Sequence, residues 1–201
     1  MRFGWFLLGF LVLALAERLY ERRFSQQAER GQRTLEWVMT TLHLLYGMIY
    51  AGTALEVFLR PRPVNWPVTA AGLLLFVVAL VVRLTAIRAL GRFWSLHLEI
   101  RPQHQLVITG PYARVRHPAY TAIMVEVLAI PLVGQAYWTL ALALFVYIPV
   151  LLIRWRNEER EMIGKFGEQY LQYRQRVPAF LPGARARKAP TSEPLAPSRM
   201  G

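Results

Sequence analysis

Long apolar blocks separated by short polar stretches constrain the fold of this chain more than any other feature. Five blocks can be drawn, at 3–16, 37–59, 68–82, 120–133 and 136–153. Apolar residues are concentrated in these blocks rather than spread in an amphipathic pattern, which favours membrane-spanning helices over a soluble core. A spanning helix needs about 20 residues, so the shorter blocks must extend into flanking residues. The sequence therefore predicts an all-α, polytopic membrane protein with about five transmembrane helices.

The basic residues predict the orientation of these helices. Five spans place 17–36, 83–119 and 154–201 on one side of the membrane, and these segments hold 21 of the 24 Lys and Arg residues. The positive-inside rule then puts the N-terminus outside and the C-terminus in the cytoplasm. Many Arg residues, no Asp and a short span-only design favour an integral protein of a bacterial inner (plasma) membrane.

Composition also narrows the classes of partner. The net charge of +12 lies between apolar blocks, where membrane lipid headgroups explain it better than nucleic acid. The chain has no Cys, so it has neither disulfides nor a thiolate metal site. The three histidines at 97, 104 and 117 fit no compact metal-ligand spacing, and no metal is predicted.

The first polar stretch covers residues 91–120. Pro102, Gly110, Pro111 and Pro118 interrupt it, so it cannot form one helix. Irregular backbone at membrane depth is tolerated only inside protein or beside a water-filled cavity. The stretch is therefore a plausible wall of a site. The alternative is that Arg114, Arg116 and His117 simply contact lipid headgroups.

The second polar stretch begins at residue 154 and has helical spacing. Arg154 and Glu158 are four residues apart and share a face. Such a pair is usually a solvated surface pair. It would become functional if the helix folded back over the loop before the fourth span, because a Glu can accept hydrogen bonds from a ligand and an Arg can hold an oxyanion.

Several charged residues fall inside or at the ends of the predicted spans. Glu17 and Arg18 are predicted to lie at the headgroups, and Arg83 and Glu56 to snorkel to the interface. Glu126 is close to the middle of the fourth span, and an intramembrane carboxylate is a functional candidate by default. Its alternative is a buried hydrogen bond.

Two sequence blocks, in order and separated by one apolar hairpin, carry a specific resemblance. The first contains His104-x-Leu106-Val107, Gly110-Pro111-Tyr112 and Arg116-His117-Pro118-x-Tyr120, and the second runs from Glu158-Glu159 through Phe166-Gly167-x-x-Tyr170-x-x-Tyr173 to Pro182. This pattern resembles the isoprenylcysteine carboxyl methyltransferase family and its relatives among the phospholipid methyltransferases. It divides the chain into N-terminal transmembrane helices (1–87), a methyltransferase core (88–182) and a Pro- and Ala-rich tail predicted to be disordered (183–201).

The resemblance implies a cytosolic pocket for S-adenosylmethionine, formed by the loop before span four and the helix after span five. Arg154 would contact the reacting end of the acceptor, and Glu126 is the second candidate catalytic residue. His97 occupies the position of a Gln that contacts the cofactor in eukaryotic members. The implied cofactor-binding residues are His97, His104, Gln105, Leu106, Val107, Tyr112, His117, Pro118, Ala119, Tyr120 and Glu158.

The implied activity is S-adenosylmethionine-dependent methylation of a lipophilic or lipidated acceptor within the membrane (EC 2.1.1.-). A carboxylate acceptor needs no general base, whereas a phenol or enol would benefit from proton removal by Glu126, His117 or a tyrosine. The stretch from Leu90 to His97 is similar to bacterial members that methylate long-chain alkylresorcinols or alkylpyrones, and an isoprenoid-type acceptor stays open. The rival functions are an NADPH-dependent membrane reductase of the sterol-reductase type and a non-enzymatic scaffold. The oligomeric state is left open.

Overall fold

Helices build most of the described part of the chain. The computed structural model describes residues 2–26, 32–34, 36–91, 98–100 and 106–183. The helices are α1 (Arg2–Gln26), α2 (Glu36–Leu59), α3 (Trp66–Leu90), α4 (Pro118–Gly134), α5 (Tyr137–Leu142), α6 (Ile148–Phe166) and α7 (Glu168–Arg176), with a 3₁₀ turn at Gly110–Ala113. A π-helical segment, Ala143–Tyr147, joins α5 to α6.

The described residues include one short β-ribbon that the prediction of an all-α fold did not contain. Strand β1 (Gln32–Thr34) pairs antiparallel with β2 (Leu98–Ile100), with Arg33 opposite Glu99. This two-stranded ribbon ties the α1–α2 connection to the chain that follows α3. Three-residue strands give no alternating pattern long enough to be recognised in a sequence.

Three helical stretches in the described residues are long and apolar enough to cross a membrane. They are α2, α3 and the continuous helix Tyr137–Phe166, which comprises α5, the π segment and α6. Helix α4 is apolar but has only 17 residues, which corresponds to about 26 Å of helix. Helix α1 has 25 residues, and Glu17 and Arg18 interrupt its apolar sequence. The chain is therefore a helical membrane protein.

The predicted hairpin turn at Gly134-Gln135 is confirmed. Gln135 adopts a left-handed conformation with φ of 55° and ends α4. Its side-chain amide donates to the Thr69 hydroxyl at 2.9 Å, and its Oε1 accepts from the Asn65 backbone N–H at 3.0 Å. Asn65 is also the N-cap of α3. One side chain thus links the α4–α5 turn to the start of α3.

Helices α3 and α4 approach each other very closely at Gly72. A Cβ added to Gly72 would lie 2.7 Å from the Val133 backbone nitrogen. The main core then continues through buried residues of α1, α2, α4 and α6, including Leu7, Ile49, Ile130 and Leu151. This packing fixes the start of α4, where the polar loop residues converge.

A buried ion network joins α1, α3 and α4. Arg83 is fully buried and pairs with both Glu17 and Glu126. Arg18 Nη2 lies 2.9 Å from Glu126 Oε2, and the Tyr46 hydroxyl donates to Glu126 Oε1. The predictions that Arg83 snorkels and that Glu17 and Arg18 lie at the headgroups are therefore wrong. Opposite charges from three helices satisfy one another inside the bundle, which removes the need to reach water.

The prediction that Glu56 snorkels is also wrong. Its carboxylate accepts from the Thr139 backbone N–H at 3.2 Å and from the Thr139 hydroxyl at 3.3 Å. These groups lie in the first turn of α5, where backbone N–H groups have no helical partner. Glu56 thus caps a neighbouring helix from α2, and Arg62 lies 4.0 Å away.

Candidate functional site

An ion pair between Arg116 and Glu159 holds the polar loop against the helix that follows the last span. Arg116 Nε lies 3.0 Å from Glu159 Oε1, and Arg116 Nη2 lies 3.3 Å from Oε2. The same carboxylate accepts from the Tyr170 hydroxyl at 2.8 Å, and His117 Nε2 lies 2.7 Å from its Oε1. A bidentate pair of this kind fixes orientation as well as distance.

The chain after α7 runs back across this loop. The Arg116 and His117 backbone N–H groups donate to the carbonyls of Pro178 and Ala179, each at 2.9 Å. Arg116 Nη1 also donates to the carbonyls of Arg174 at 2.9 Å and Val177 at 2.8 Å. The second polar stretch therefore folds back over the first, which is the condition that the sequence set for a functional role of Arg154 and Glu158. The headgroup alternative is wrong for Arg116 and His117, because both are buried.

Five side chains surround the point where the two stretches meet, and we call them the cradle: His117, Tyr120, Trp155, Glu158 and Phe180. The Tyr120 hydroxyl donates to Glu158 Oε2, and His117 Nδ1 lies 3.9 Å from Glu158 Oε1. The His117 ring stands edge-on to Tyr120 with 5.5 Å between centroids. Trp155 and Phe180 pack at 4.8 Å. The cradle therefore presents one carboxylate among aromatic rings.

Tyr112 supports the cradle from the side of α3. It is buried with Ala119 against Ile87, and Val107 packs on the same cluster. The Tyr173 hydroxyl donates to the Tyr112 carbonyl at 2.6 Å. Burial raises the pKa of the phenols of Tyr112 and Tyr173 well above the usual range, so both stay neutral hydrogen-bond donors.

The structure brings most of the predicted cofactor-binding residues to one place. His117, Pro118, Ala119 and Tyr120 form the loop end and first turn of α4, where Glu158 contacts Tyr120. Leu106 and Val107 lead into the 3₁₀ turn that carries Tyr112. His97, His104 and Gln105 lie outside the described residues.

Arg154 connects the cradle to a cavity inside the bundle. Its guanidinium lies over the Tyr120 ring, 5.4 Å from the centroid. It also lines a cavity of about 110 Å³ between α1, α2, α4 and the α5–α6 helix, which we call the bundle cavity. The polar residues of this cavity are Arg18, His43, Tyr46, Tyr147 and Arg154, and its other walls are apolar.

Glu126 lies behind the bundle cavity. It is 1% exposed, and it reaches the cavity through Arg18 and Tyr46, which line it. Its carboxylate accepts hydrogen bonds from the Arg18 and Arg83 guanidiniums and from the Tyr46 hydroxyl. The geometry thus corresponds to the buried hydrogen bond that sequence reasoning kept as the alternative for Glu126.

Sequence reasoning missed three contributors to the site. Glu159 belongs to the Glu158-Glu159 motif of the family pattern. Its position next to Glu158 was the only sequence signal that it contributes to the site. Trp155 and Phe180 enter the cradle through tertiary packing with His117. In the described residues, no group of three or more His, Cys, Asp or Glu side chains is arranged to hold a metal.

The fold and the site define a class of protein. It is a helical membrane protein with a polar site at the ends of its apolar helices. Residues 72–164 match the isoprenylcysteine carboxyl methyltransferase (ICMT) family. The resemblance predicted from the sequence motifs is therefore confirmed.

Individual relatives agree with this match. The chain is 28% identical to the uncharacterized protein YpbQ of Bacillus subtilis, over 79% of this chain and 95% of YpbQ. It is 31% identical to the protein-S-isoprenylcysteine O-methyltransferase of Rattus norvegicus, over 60% of this chain and 43% of the rat enzyme. The chain thus spans somewhat less than half the length of that enzyme.

A solved structure shows the same fold. The eukaryotic intramembrane Ras methyltransferase ICMT superposes with a TM-score of 0.58 at 21% identity, covering 72% of this chain and 53% of that chain. The arrangement of helices described above is therefore similar to the fold of that protein.

Proposed function

We propose that this protein is an integral membrane methyltransferase that transfers a methyl group from S-adenosylmethionine to a lipid-like acceptor. The observation that carries the proposal is the position of Arg154, which lies on the cradle residue Tyr120 and also lines the bundle cavity. One side chain therefore touches both a candidate cofactor site and a candidate acceptor site. The family match supplies the class of reaction.

The cradle residues fit a sulfonium cofactor. Aromatic rings and one carboxylate attract a cation and its amine, and rings also stack on a purine. The Trp155 indole Nε1 is buried and has no hydrogen-bond partner among the described residues, so it is a donor available to a ligand. We assign the cofactor to His117, Tyr120, Trp155 and Glu158, with Tyr112 behind them.

The contacts of each residue suggest its role in the reaction. The cofactor supplies an activated methyl group with a neutral leaving group. Arg154 orients the acceptor oxygen toward the cradle, and apolar side chains of the bundle cavity contact the rest of the acceptor. Glu126 holds Arg18 and Tyr46 in place and so acts as a positioning residue.

We also propose that α1 and α4 cross the membrane with the three longer helices, which gives five spans with the cradle in the cytoplasm. The loop before α4 and the end of α6 then lie on the side that carries most of the basic residues. We place this arrangement in a bacterial inner membrane.

Labelled methyl transfer in isolated membranes tests the activity. Membranes that contain the protein are incubated with S-adenosylmethionine carrying a labelled methyl group and then extracted with organic solvent. We expect label in the lipid extract of the wild type and a loss of more than tenfold in Arg154→Ala. The matched control is Arg156→Ala, two residues along the same helix and outside the bundle cavity. Equal transfer by wild type and Arg154→Ala would contradict the proposed role.

A further inference from the structure

A larger pocket lies at the opposite end of the helical bundle from the cradle, and we call it the far-end pocket. It is formed by the start of α1, the end of α2, the α2–α3 connection and the α4–α5 turn. Its volume of about 340 Å³ lies in the range of about 300–1,000 Å³ that is typical of ligand sites. The lining residues that carry the argument are Phe3, Glu56, Phe58, Arg60 and Arg62.

Basic side chains are rare at this end of the bundle. Three Lys or Arg residues fall outside the segments 17–36, 83–119 and 154–201, and they are Arg2, Arg60 and Arg62. Arg60 and Arg62 line the far-end pocket, whereas Arg2 does not. The positive-inside rule disfavours cations at this end, so two guanidiniums in one pocket point to a local negative partner.

Glu56 supplies one negative charge, and its hydrogen-bonding capacity is largely used. Its carboxylate accepts from the backbone N–H and the hydroxyl of Thr139, and from the Trp138 N–H at 3.4 Å. Arg62 Nη2 lies 4.0 Å from Glu56 Oε1, and its guanidinium lies over the Tyr137 ring at 5.6 Å. Two guanidiniums and one carboxylate leave the pocket with a net charge of +1.

Arg60 provides the charge that Glu56 does not balance. Its backbone N–H donates to the Glu56 carbonyl at 2.9 Å, and the residue is exposed. Within the described part of the chain, no side chain forms an ion pair with its guanidinium. Pro61 follows Arg60 and Pro63 follows Arg62, and a residue before proline is restricted to extended conformations. This restriction reduces the conformational freedom that the segment would lose on binding.

The apolar walls of the far-end pocket continue onto the exposed apolar surface of the bundle. Phe58 lines the pocket and is 53% exposed. Phe3 packs edge-on against Trp66, which is also largely exposed, with 6.1 Å between ring centroids. Trp is enriched at the membrane–water interface, so these rings lie where headgroups meet acyl chains. A ligand that joins an anion to apolar chains matches both parts of the pocket.

We propose that the far-end pocket binds the phosphate group of a membrane phospholipid whose headgroup carries a net negative charge. Arg60 and Arg62 pair with the phosphate oxygens, and the acyl chains run along exposed apolar side chains of α1 and α2. The single charge of a phosphodiester balances the net charge of the pocket. A headgroup with an additional ammonium group would bring a third cation beside the two guanidiniums. The site lies apart from the cradle, so this inference does not depend on methyl transfer.

Photo-crosslinking in vesicles tests the site residue by residue. The purified full-length protein is reconstituted in phosphatidylcholine vesicles with a small, non-saturating fraction of phosphatidylglycerol that carries a diazirine on its acyl chain close to the headgroup. Mass spectrometry of peptides then locates the adducts. We expect adducts in the peptides that contain Phe3 and Phe58, at a clearly higher yield than with a phosphatidylcholine probe of the same chains. Equal yields from the two probes would overturn the preference for an anionic headgroup.

Charge variants test the two arginines. Arg60→Gln should lower the phosphatidylglycerol adduct yield about fivefold, and Arg60→Gln/Arg62→Gln roughly 25-fold, the usual effect of one and two cations near an anionic headgroup. The matched control Arg2→Gln removes the same charge at the same end but outside the pocket, and it should keep the wild-type yield. Equal losses in Arg2→Gln and Arg60→Gln would show that only the total charge of this end matters and would overturn the proposal.

Glu56→Gln provides a test in the opposite direction. The amide oxygen can still accept from Thr139, while the carboxylate that competes with the phosphate is removed. The adduct yield should therefore rise, whereas a purely structural role of Glu56 gives no increase. An unchanged or lower yield in a folded Glu56→Gln protein would overturn the balance of charges on which the proposal rests.

Competition by salts separates a lipid from a free anion. Inorganic phosphate and chloride at equal ionic strength should reduce the adduct yield equally, because both only screen the charges. A loss of adducts that is specific to inorganic phosphate would assign the arginines to a soluble phosphate and overturn the lipid. Binding of S-adenosylhomocysteine at the cradle is measured separately, and its outcome leaves these results unchanged.

Discussion

Arg116 and Glu159 are 43 residues apart in the chain, and their side chains pair at 3.0 Å inside the protein. This pair decides where the cradle forms, because His117 follows Arg116 and Glu158 precedes Glu159. Breaking the pair should disturb the cradle without changing any residue that faces a ligand.

Glu159→Gln is expected to lower the stability of the fold. The amide leaves the buried Arg116 guanidinium without its counter-ion, and breaking a buried pair costs about 3–5 kcal/mol. Denaturant or thermal unfolding in detergent measures the change. Glu161→Gln is the matched control on the same helix and should unfold like the wild type. Equal unfolding of Glu159→Gln and the wild type would show that the pair does not hold the loop.

Gly72→Ala is expected to destabilise the contact between α3 and α4. The added methyl would lie 2.7 Å from the Val133 nitrogen, so a helix must shift. Overpacking of this kind costs about 1–3 kcal/mol. Gly47→Ala is the control, because a Cβ at that position of α2 meets no atom within 4 Å. It should be neutral or stabilising, since Ala is about 0.5–1 kcal/mol better than Gly inside a helix. Similar melting temperatures for the two variants would contradict the close approach.

The buried network around Arg83 should behave as a coupled unit. Arg83→Met leaves Glu17 and Glu126 with less positive charge and should cost about 3–5 kcal/mol. The double variant Arg83→Met/Glu17→Met removes one charge of each sign and keeps the pair of Arg18 and Glu126, so it should be more stable than Arg83→Met alone. A double-mutant cycle of unfolding free energies measures the coupling. Additive effects would mean that these charges act independently.

Tyr120→Phe is expected to weaken cofactor binding while the fold survives. The variant keeps the ring under Arg154 and removes the hydroxyl that orients Glu158. We expect about tenfold weaker binding of S-adenosylhomocysteine, which is about 1.4 kcal/mol. Tyr137→Phe, at the far end of the α5–α6 helix, is the control. Unchanged affinity in Tyr120→Phe would exclude a positioning role for its hydroxyl.

Local patterns were sufficient to predict much of the fold. The apolar blocks gave the approximate positions of the helices, and the Gly134-Gln135 turn followed from a short polar break between two of them. The family pattern pointed to His117, Tyr120 and Glu158, and the fold brings these three side chains together. The position of the second polar stretch at the other end of the same hairpin made its fold-back possible, but the sequence did not decide it.

Charge partners could not be predicted in the same way. The sequence shows that Arg83 and Glu126 are in apolar surroundings, but snorkelling and ion pairing both satisfy a charge, and only the packing of α1, α3 and α4 decides between them. Glu56 likewise meets the first turn of α5 only in three dimensions. The bundle cavity is lined by residues from four helices. Because these residues are far apart in the chain, they form no recognisable spacing pattern in the sequence.

Ligand-induced stabilisation of the purified protein tests the central claim most directly. At about 100 times its dissociation constant, S-adenosylhomocysteine should add roughly 2.7 kcal/mol to the stability. We expect a raised melting temperature for the wild type and for the control Glu161→Ala, no effect of NADPH, and loss of the shift in Glu158→Ala. Stabilisation by NADPH instead, or by neither ligand, would contradict a methyltransferase site at the cradle.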